Sequence, residues 1–193
     1  ATALSLYKKK VLVIDLDPQG NATTGFGLSN NDDSKTIYDV LNGNSNFEDA
    51  IKDTKVNNLK LVSSNVDLSG IEVEAASENR RAFLLKDKIE NFINGPKNDF
   101  SYIFIDCPPS LSLLTIMSLV VAKSLIVPLQ AEFFALEGLS QLLKTIDRIK
   151  IKLNPDLEIR GVLLTMFDKR NKLSAQVDAE ARKFLKEKVY ETV

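Results

Sequence analysis

Two carboxylates, Asp15 and Asp17, follow directly on the apolar run Val11–Ile14 in a segment reading Asp15-Leu16-Asp17-Pro18-Gln19-Gly20-Asn21. A third, Asp106, follows the run Tyr102–Ile105 and opens Asp106-Cys107-Pro108-Pro109-Ser110. An aspartate closing an apolar strand offers hard oxygen donors, the kind that hold Mg2+ directly or through water beside phosphates. A magnesium–nucleotide site is the chemistry this pairing supports. A second reading stands beside it: Asp and Pro commonly terminate strands, and Ser110 would suit the N-cap of a following helix. Cys107 reads as a small buried spacer rather than a nucleophile, because a free cysteine is most often buried and inert. Lys169, Arg170 and Lys172 make a short basic cluster after another apolar run, which by itself reads as a solvated loop.

Composition removes other chemistries. One cysteine excludes an intramolecular disulfide framework, and the absence of histidine excludes His-based catalysis and His-ligated zinc. With 25 basic against 26 acidic residues the net charge is −1, so any nucleic-acid binding must come from a local patch or an assembly. At 44% apolar and 26% charged residues the chain is ordinary globular material. Its 193 residues read as a single domain, 1–193. There is no secretory signal, and the longest apolar stretch, Leu111–Ala122, is too short to span a bilayer. A cytoplasmic protein without a membrane role is the expectation. The opening ATALSLYKKK reads as the tail of a helix, and Lys188–Val193 as the start of a strand, so both ends read as cut.

The elements that must position the acids are legible as alternating patterns. Val11–Ile14, Leu59–Val62, Tyr102–Ile105, Ser124–Leu129 and Ile159–Met166 are strand-like runs of the kind buried on both faces of a parallel sheet. Between them, Leu85, Ile89, Phe92 and Ile93 share one helical face. So do Leu139, Leu142, Leu143, Ile146 and Ile149, and again Val177, Ala181, Phe184 and Leu185. Asn30–Ser34, Asn42–Asn46, Gly95-Pro96 and Asn154-Pro155 read as turns. The fold class is therefore α/β, a mostly parallel sheet with helices on both faces. In such a sheet ligands bind beyond the carboxyl ends of the strands, so Asp15, Asp17 and Asp106 should gather at one edge.

Four blocks in order, Asp15-Leu-Asp-Pro-Gln-Gly-Asn-Ala-Thr-Thr-Gly25, Asp106-Cys-Pro-Pro-Ser-Leu111, Val127-Pro-Leu-Gln-Ala-Glu-Phe-Phe-Ala-Leu-Glu-Gly-Leu139 and Gly161-Val-Leu-Leu-Thr-Met-Phe-Asp168, closely resemble the ParA/Soj branch of the deviant-Walker partition ATPases. The likeness runs from residue 4 to residue 193. It implies a P-loop NTPase-like fold that binds ATP and Mg2+ and hydrolyses ATP. It also implies that a strand and a loop of the type Lys-Gly-Gly-Val-Gly-Lys-Thr-Thr precede residue 1, and that a C-terminal part follows residue 193. Residues 1–193 on their own should then bind ATP poorly and not hydrolyse it.

By that resemblance Asp17 orients the attacking water, Asp106 is the Walker B acid reaching Mg2+ through water, and Asp15 supports the Mg2+ and loop region. For Asp15 a structural hydrogen bond to the phosphate loop is an equal alternative. Pro108 and Pro109 shape the cofactor-binding edge. In the Soj branch an arginine at the position of Arg170 is implicated in sequence-independent DNA binding, with Lys169 and Lys172 beside it. Lys8–Lys10 read more simply as cations at a helix C-terminus. One departure is Ser63-Ser64, where the family often has Pro-Ser or Pro-Ala; a loosened strand end is the expectation.

The function so implied is ATP-dependent partition of a chromosome or plasmid: an ATP-bound homodimer on nucleoid DNA, stimulated by a ParB-like centromere-binding partner. Two alternatives remain open from the sequence. One is a MinD-like cell-division ATPase that binds membrane; the other is a non-hydrolysing regulator on the same fold.

Overall fold

The computed structural model describes residues 1–29, 34–96, 98–132 and 134–191. It falls into two compact units, residues 1–121 and 122–193.

The first unit is built on a sheet of order β2-β3-β1-β4, with β1 Val11–Asp15, β2 Ile51–Asp53, β3 Leu59–Val62 and β4 Tyr102–Asp106. β1 runs parallel to both β3 and β4, and the short β2 runs antiparallel on the outer side of β3. All five residues of β1 are buried, as its unbroken apolar run requires. Its side chains alternate between two layers. Leu12 and Ile14 join Ile37, Leu85, Ile89, Phe92 and Met117 on one face. Val11 and Val13 join Leu59, Leu61, Leu4 and Phe26 on the other. The helices that supply these layers are α1 Thr2–Leu6, α2 Asn21–Gly25, α3 Ile37–Leu41, α4 Phe47–Ala50, α5 Ile71–Glu74, α6 Leu84–Ile93 and α7 Leu113–Val121. The α/β class with a mostly parallel sheet is as expected from the sequence.

α1 ends in a Schellman turn: Lys8 donates to the Ser5 carbonyl, Lys9 donates to Leu4, and Lys8 takes the left-handed φ of 59° that usually falls to glycine. β4 departs from expectation, since Ile103, Phe104 and Ile105 are only half-buried. The reason is its place at the end of the strand order, where only one side is covered by a neighbouring strand.

The second unit pairs β5 Ser124–Gln130 with β6 Glu158–Thr165 in parallel, with a bulge at Arg160, and packs α8 Ala135–Lys152 and α9 Lys172–Leu185 against them. β6 stops one residue earlier than its apolar run because Met166 turns to φ 54°. Two residues assigned to buried helical faces are exposed, Ile93 at 43% and Phe184 at 72%. Both sit in the last turn of their helix. Of the strand expected at Lys188–Val193, Val189 makes an isolated parallel bridge with Val162, and Thr192 and Val193 lie outside the described residues. Asn30–Asp33 of the first expected turn and Phe133 of the third motif block lie outside them too. Among the described residues no helix is long and apolar enough to cross a membrane.

Candidate nucleotide site

At the carboxyl end of the first unit's sheet, Asp15 and Asp106 stand opposite each other as register partners of β1 and β4. Parallel neighbours lie roughly 4.8 Å apart, so these two acids share one edge. The Leu16 N–H donates to the Asp106 carbonyl at 2.8 Å and carries the pairing one residue beyond the strand.

The two acids are treated very differently. Asp15 is fully buried. Its Oδ2 accepts from the Thr23 N–H and from the Thr23 hydroxyl, each at 2.7 Å, and its Oδ1 accepts from the Asp17 N–H at 3.2 Å. A buried carboxylate has to be compensated by donors of this kind. Asp106 is exposed, and its carboxylate accepts no hydrogen bond from any described residue. Its carboxyl is held above the usual carboxylate range, first because packing strips part of its hydration and then because Asp15 and Asp17 add negative charge beside it.

Asp17 lies on the turn that follows Asp15 and leads into α2. Its Oδ1 accepts from the Gln19 N–H at 3.0 Å and its carbonyl accepts from the Gly20 N–H at 2.9 Å, so the turn is closed twice. Gly20, at φ 65°, is the residue that can turn the chain left-handed into α2. This leaves Asp17 Oδ2 without a hydrogen bond among the described residues. The arrangement offers one outward acid on a rigid turn, one exposed acid raised by its neighbours, and one buried acid that ties the two segments together. Among the described residues no three His, Cys, Asp or Glu side chains converge to hold a metal directly. With both Asp15 oxygens committed, the carboxylate oxygens left without protein donors at this edge are those of Asp106 and Asp17 Oδ2, among the described residues.

On leaving β4 the chain is shaped by Thr115. Its hydroxyl lies 2.6 Å from the Ser110 carbonyl and 3.3 Å from that of Pro108. Ser110 is not the N-cap: α7 begins at Leu113, and its Leu113 N–H is taken by the Glu72 carboxylate at 3.0 Å. Cys107 is raised chiefly by burial and then by Asp106 and Asp17, which suits an inert spacer. Ser63-Ser64 does not loosen the end of β3. Both serines are buried; Ser63 Oγ accepts from Lys52 Nζ at 2.7 Å and the Ser64 N–H donates to Thr23 Oγ1 at 3.0 Å.

In the second unit Asp168-Lys169-Arg170-Asn171 forms a tight turn, closed by the Asn171 N–H on the Asp168 carbonyl at 3.0 Å. The Arg170 guanidinium pairs with the Asp168 carboxylate, and Lys169 and Lys172 are exposed beside it. Asn171 then caps α9 by accepting from the Leu173 N–H at 2.9 Å. Sequence reasoning named the basic residues and quoted Asp168 in the fourth block but gave it no role of its own. It also passed over Thr23, Thr115 and Glu72. The signal for Thr23 was the need itself: a strand-end aspartate that becomes fully buried must have local donors.

A family model described as an AAA domain matches residues 1–159. Across all 193 residues the chain is 47% identical to the chromosome partitioning protein ParA of Caulobacter vibrioides, covering 71% of that protein. It is 45% identical over 190 residues, 98% of this chain and 74% of the relative, to the sporulation initiation inhibitor protein Soj of Bacillus subtilis. Among solved structures, cobyrinic acid a,c-diamide synthase from Mycobacterium smegmatis, crystallised with ADP and magnesium, superposes with a TM-score of 0.87 at 34% identity. That match covers 99% of this chain and 74% of that one. These likenesses do not favour the MinD-like alternative. The four motif blocks, the sheet that sets their acids side by side and the identity along the whole chain agree, and the chain belongs to the ParA/Soj family of chromosome-partitioning ATPases.

Proposed function

We propose that this chain carries the acidic half of a Mg–ATP site in a DNA-partition switch. The observation that supports it most directly is the pairing of Asp15 with Asp106 at one sheet edge, with the Asp17 turn beside them. Phosphoryl transfer asks little covalent help of a protein; it needs an in-line water and neutralised charge. In this reading Asp106 would hold Mg2+ through its water shell, and the ion would supply charge neutralisation on the phosphates. Asp17, with its free Oδ2 on a rigid turn, orients the attacking water. Asp15 acts indirectly by fixing the Asp17 backbone, and Pro108 sets the path of the chain at the cofactor edge. The metal is taken as a requirement of turnover. Residues 1–193 contain no glycine-rich phosphate loop, so this polypeptide alone should not turn over ATP.

The same proposal extends to partners. An ATP-bound homodimer would bring two copies of the Lys169-Arg170-Lys172 turn to DNA and so couple nucleotide state to affinity without a basic net charge. A ParB-like centromere-binding protein would stimulate hydrolysis, and the working place would be the nucleoid in the cytoplasm. The central test is Asp17→Ala in the intact protein. ATP binding and ATP-dependent dimerisation should persist while turnover drops on the order of 10²-fold. Turnover at the parent rate would remove Asp17 from the mechanism.

A further inference from the structure

The hydrogen bonds of Thr23 form a directed chain. The Thr23 hydroxyl has one proton, and it goes to Asp15 Oδ2 at 2.7 Å. Thr23 Oγ1 is therefore an acceptor toward its other neighbour, and it accepts from the Ser64 N–H at 3.0 Å. The Thr23 N–H makes a second bond to the same Asp15 oxygen at 2.7 Å. Asp15 passes the constraint on, because its Oδ1 holds the Asp17 N–H at 3.2 Å. Asp15, Thr23 and Ser64 are each fully buried, so water cannot substitute for a lost partner. No described cation forms a salt bridge with Asp15, and among the described residues its charge is met by these N–H and O–H dipoles.

We propose that Thr23 is a positioning residue: through Asp15 it locks the Asp17 turn to the end of β3, so that the placement of Asp17 depends on a hydroxyl that touches neither nucleotide nor metal. The inference rests on the reading of Asp17 as the water-orienting acid. It adds that the carboxyl end of β3, two strands away from Asp106 in the order β3-β1-β4, helps to set the catalytic geometry. Among the described residues, the Thr23 side chain meets both the Ser64 amide and the buried Asp15 carboxylate. Valine has the same outline, but it would strand the Ser64 N–H and remove one of the three donors to Asp15.

The experiment measures kcat and KM for ATP separately in the intact protein, for the parent, Thr23→Val, Thr23→Ser and Asp17→Ala, with thermal unfolding of each. Thr23→Val should lower kcat by between about 10- and 100-fold with KM for ATP within about twofold, as expected of a misplaced positioning group. Thr23→Ser keeps the hydroxyl and should keep the parent kcat. If Thr23→Val does not fold, Thr23→Ala assayed below its unfolding midpoint carries the same expectation. Parent kcat in Thr23→Val beside an inactive Asp17→Ala would overturn the positioning role and leave the Asp17 reading standing. A Thr23→Val defect shared by Thr23→Ser, with KM raised and the unfolding midpoint lowered in step, would also overturn it, since that is the mark of a merely structural residue. An Asp17→Ala protein with parent turnover would remove the ground beneath both readings.

Discussion

Arg170 grips Asp168 with two parallel bonds, Nε to Oδ1 at 3.1 Å and Nη2 to Oδ2 at 3.0 Å, while the Arg170 N–H adds a third to Oδ1 at 2.9 Å. The basic turn is thus an organised structure with one of its cations already facing an anion. Both partners are exposed, so the pair adds little to stability, and a phosphate can take the place of the carboxylate.

For DNA binding by the ATP-bound intact protein, Arg170→Ala should weaken every sequence alike, because no base edge is read. Each lost phosphate contact should reduce the salt slope by about 0.9, and a symmetric dimer by about twice that. Asp168→Asn keeps an oxygen for the Arg170 N–H and removes the competing charge, so affinity should rise for all sequences. An unchanged Arg170→Ala slope would return the cluster to a solvated turn. Weaker binding by Asp168→Asn would mean that the acid presents Arg170 instead of shielding it.

Asp106 ties stability to pH. A carboxyl raised in the folded state binds its proton more tightly folded than unfolded. Its contribution is therefore most favourable at acid pH and is lost as pH climbs through the raised value. Asp106→Asn removes that loss. Unfolding midpoints of parent and variant should coincide at acid pH and separate toward neutral, with the variant the more stable. Added Mg2+ should narrow the gap by stabilising the parent. A gap that widens toward acid pH would contradict a carboxyl raised by lost hydration and by the charges of Asp15 and Asp17.

Gly161 is where the second unit has least room. A Cβ there would lie 2.5 Å from Tyr190 Cζ and 2.6 Å from Cε2. The Tyr190 backbone is held in place, its N–H donating to the Val162 carbonyl at 2.9 Å and its carbonyl accepting from Arg182 Nη2 at 3.1 Å, so relief has to come from turning the ring out of its packed position. Gly161→Ala should cost roughly 1–3 kcal/mol of the stability of this unit. Denaturant unfolding would show it, and Tyr190→Ala in the same background should recover most of the loss. A Gly161→Ala protein with the parent midpoint would show that the ring moves freely.

The strands were legible because β-branched runs of four or more residues have few other places to go, and the acids at their ends followed from the carboxyl-edge rule for parallel sheets. β2 was missed, since Ile51-Lys52-Asp53 is short, polar and antiparallel. Ile93 and Phe184 keep helical spacing to the last turn, but spacing says nothing about where the packing against that face stops. At the site, the gathering of Asp15, Asp17 and Asp106 could be read, whereas their unequal burial could not. Burial depends on Thr23, eight residues after Asp15, folding back over it. Asp168 was hidden in plain view, because an acid beside bases reads as mixed charge until the guanidinium is seen to close on it.

β4 has a consequence for the molecule in bulk. As the last strand in the first unit's order, it has no strand partner on the side away from β1 among the described residues, and the side chains of Ile103, Phe104 and Ile105 beside that edge are half-covered. An edge of that kind is a template for a strand from another molecule. With a net charge of only −1 at pH 7, long-range repulsion does little to keep copies apart. A strand edge on the first unit is thus a route to self-association, and raising the negative charge by moving pH upward, away from the pI near 5.7, or covering that edge would each oppose it.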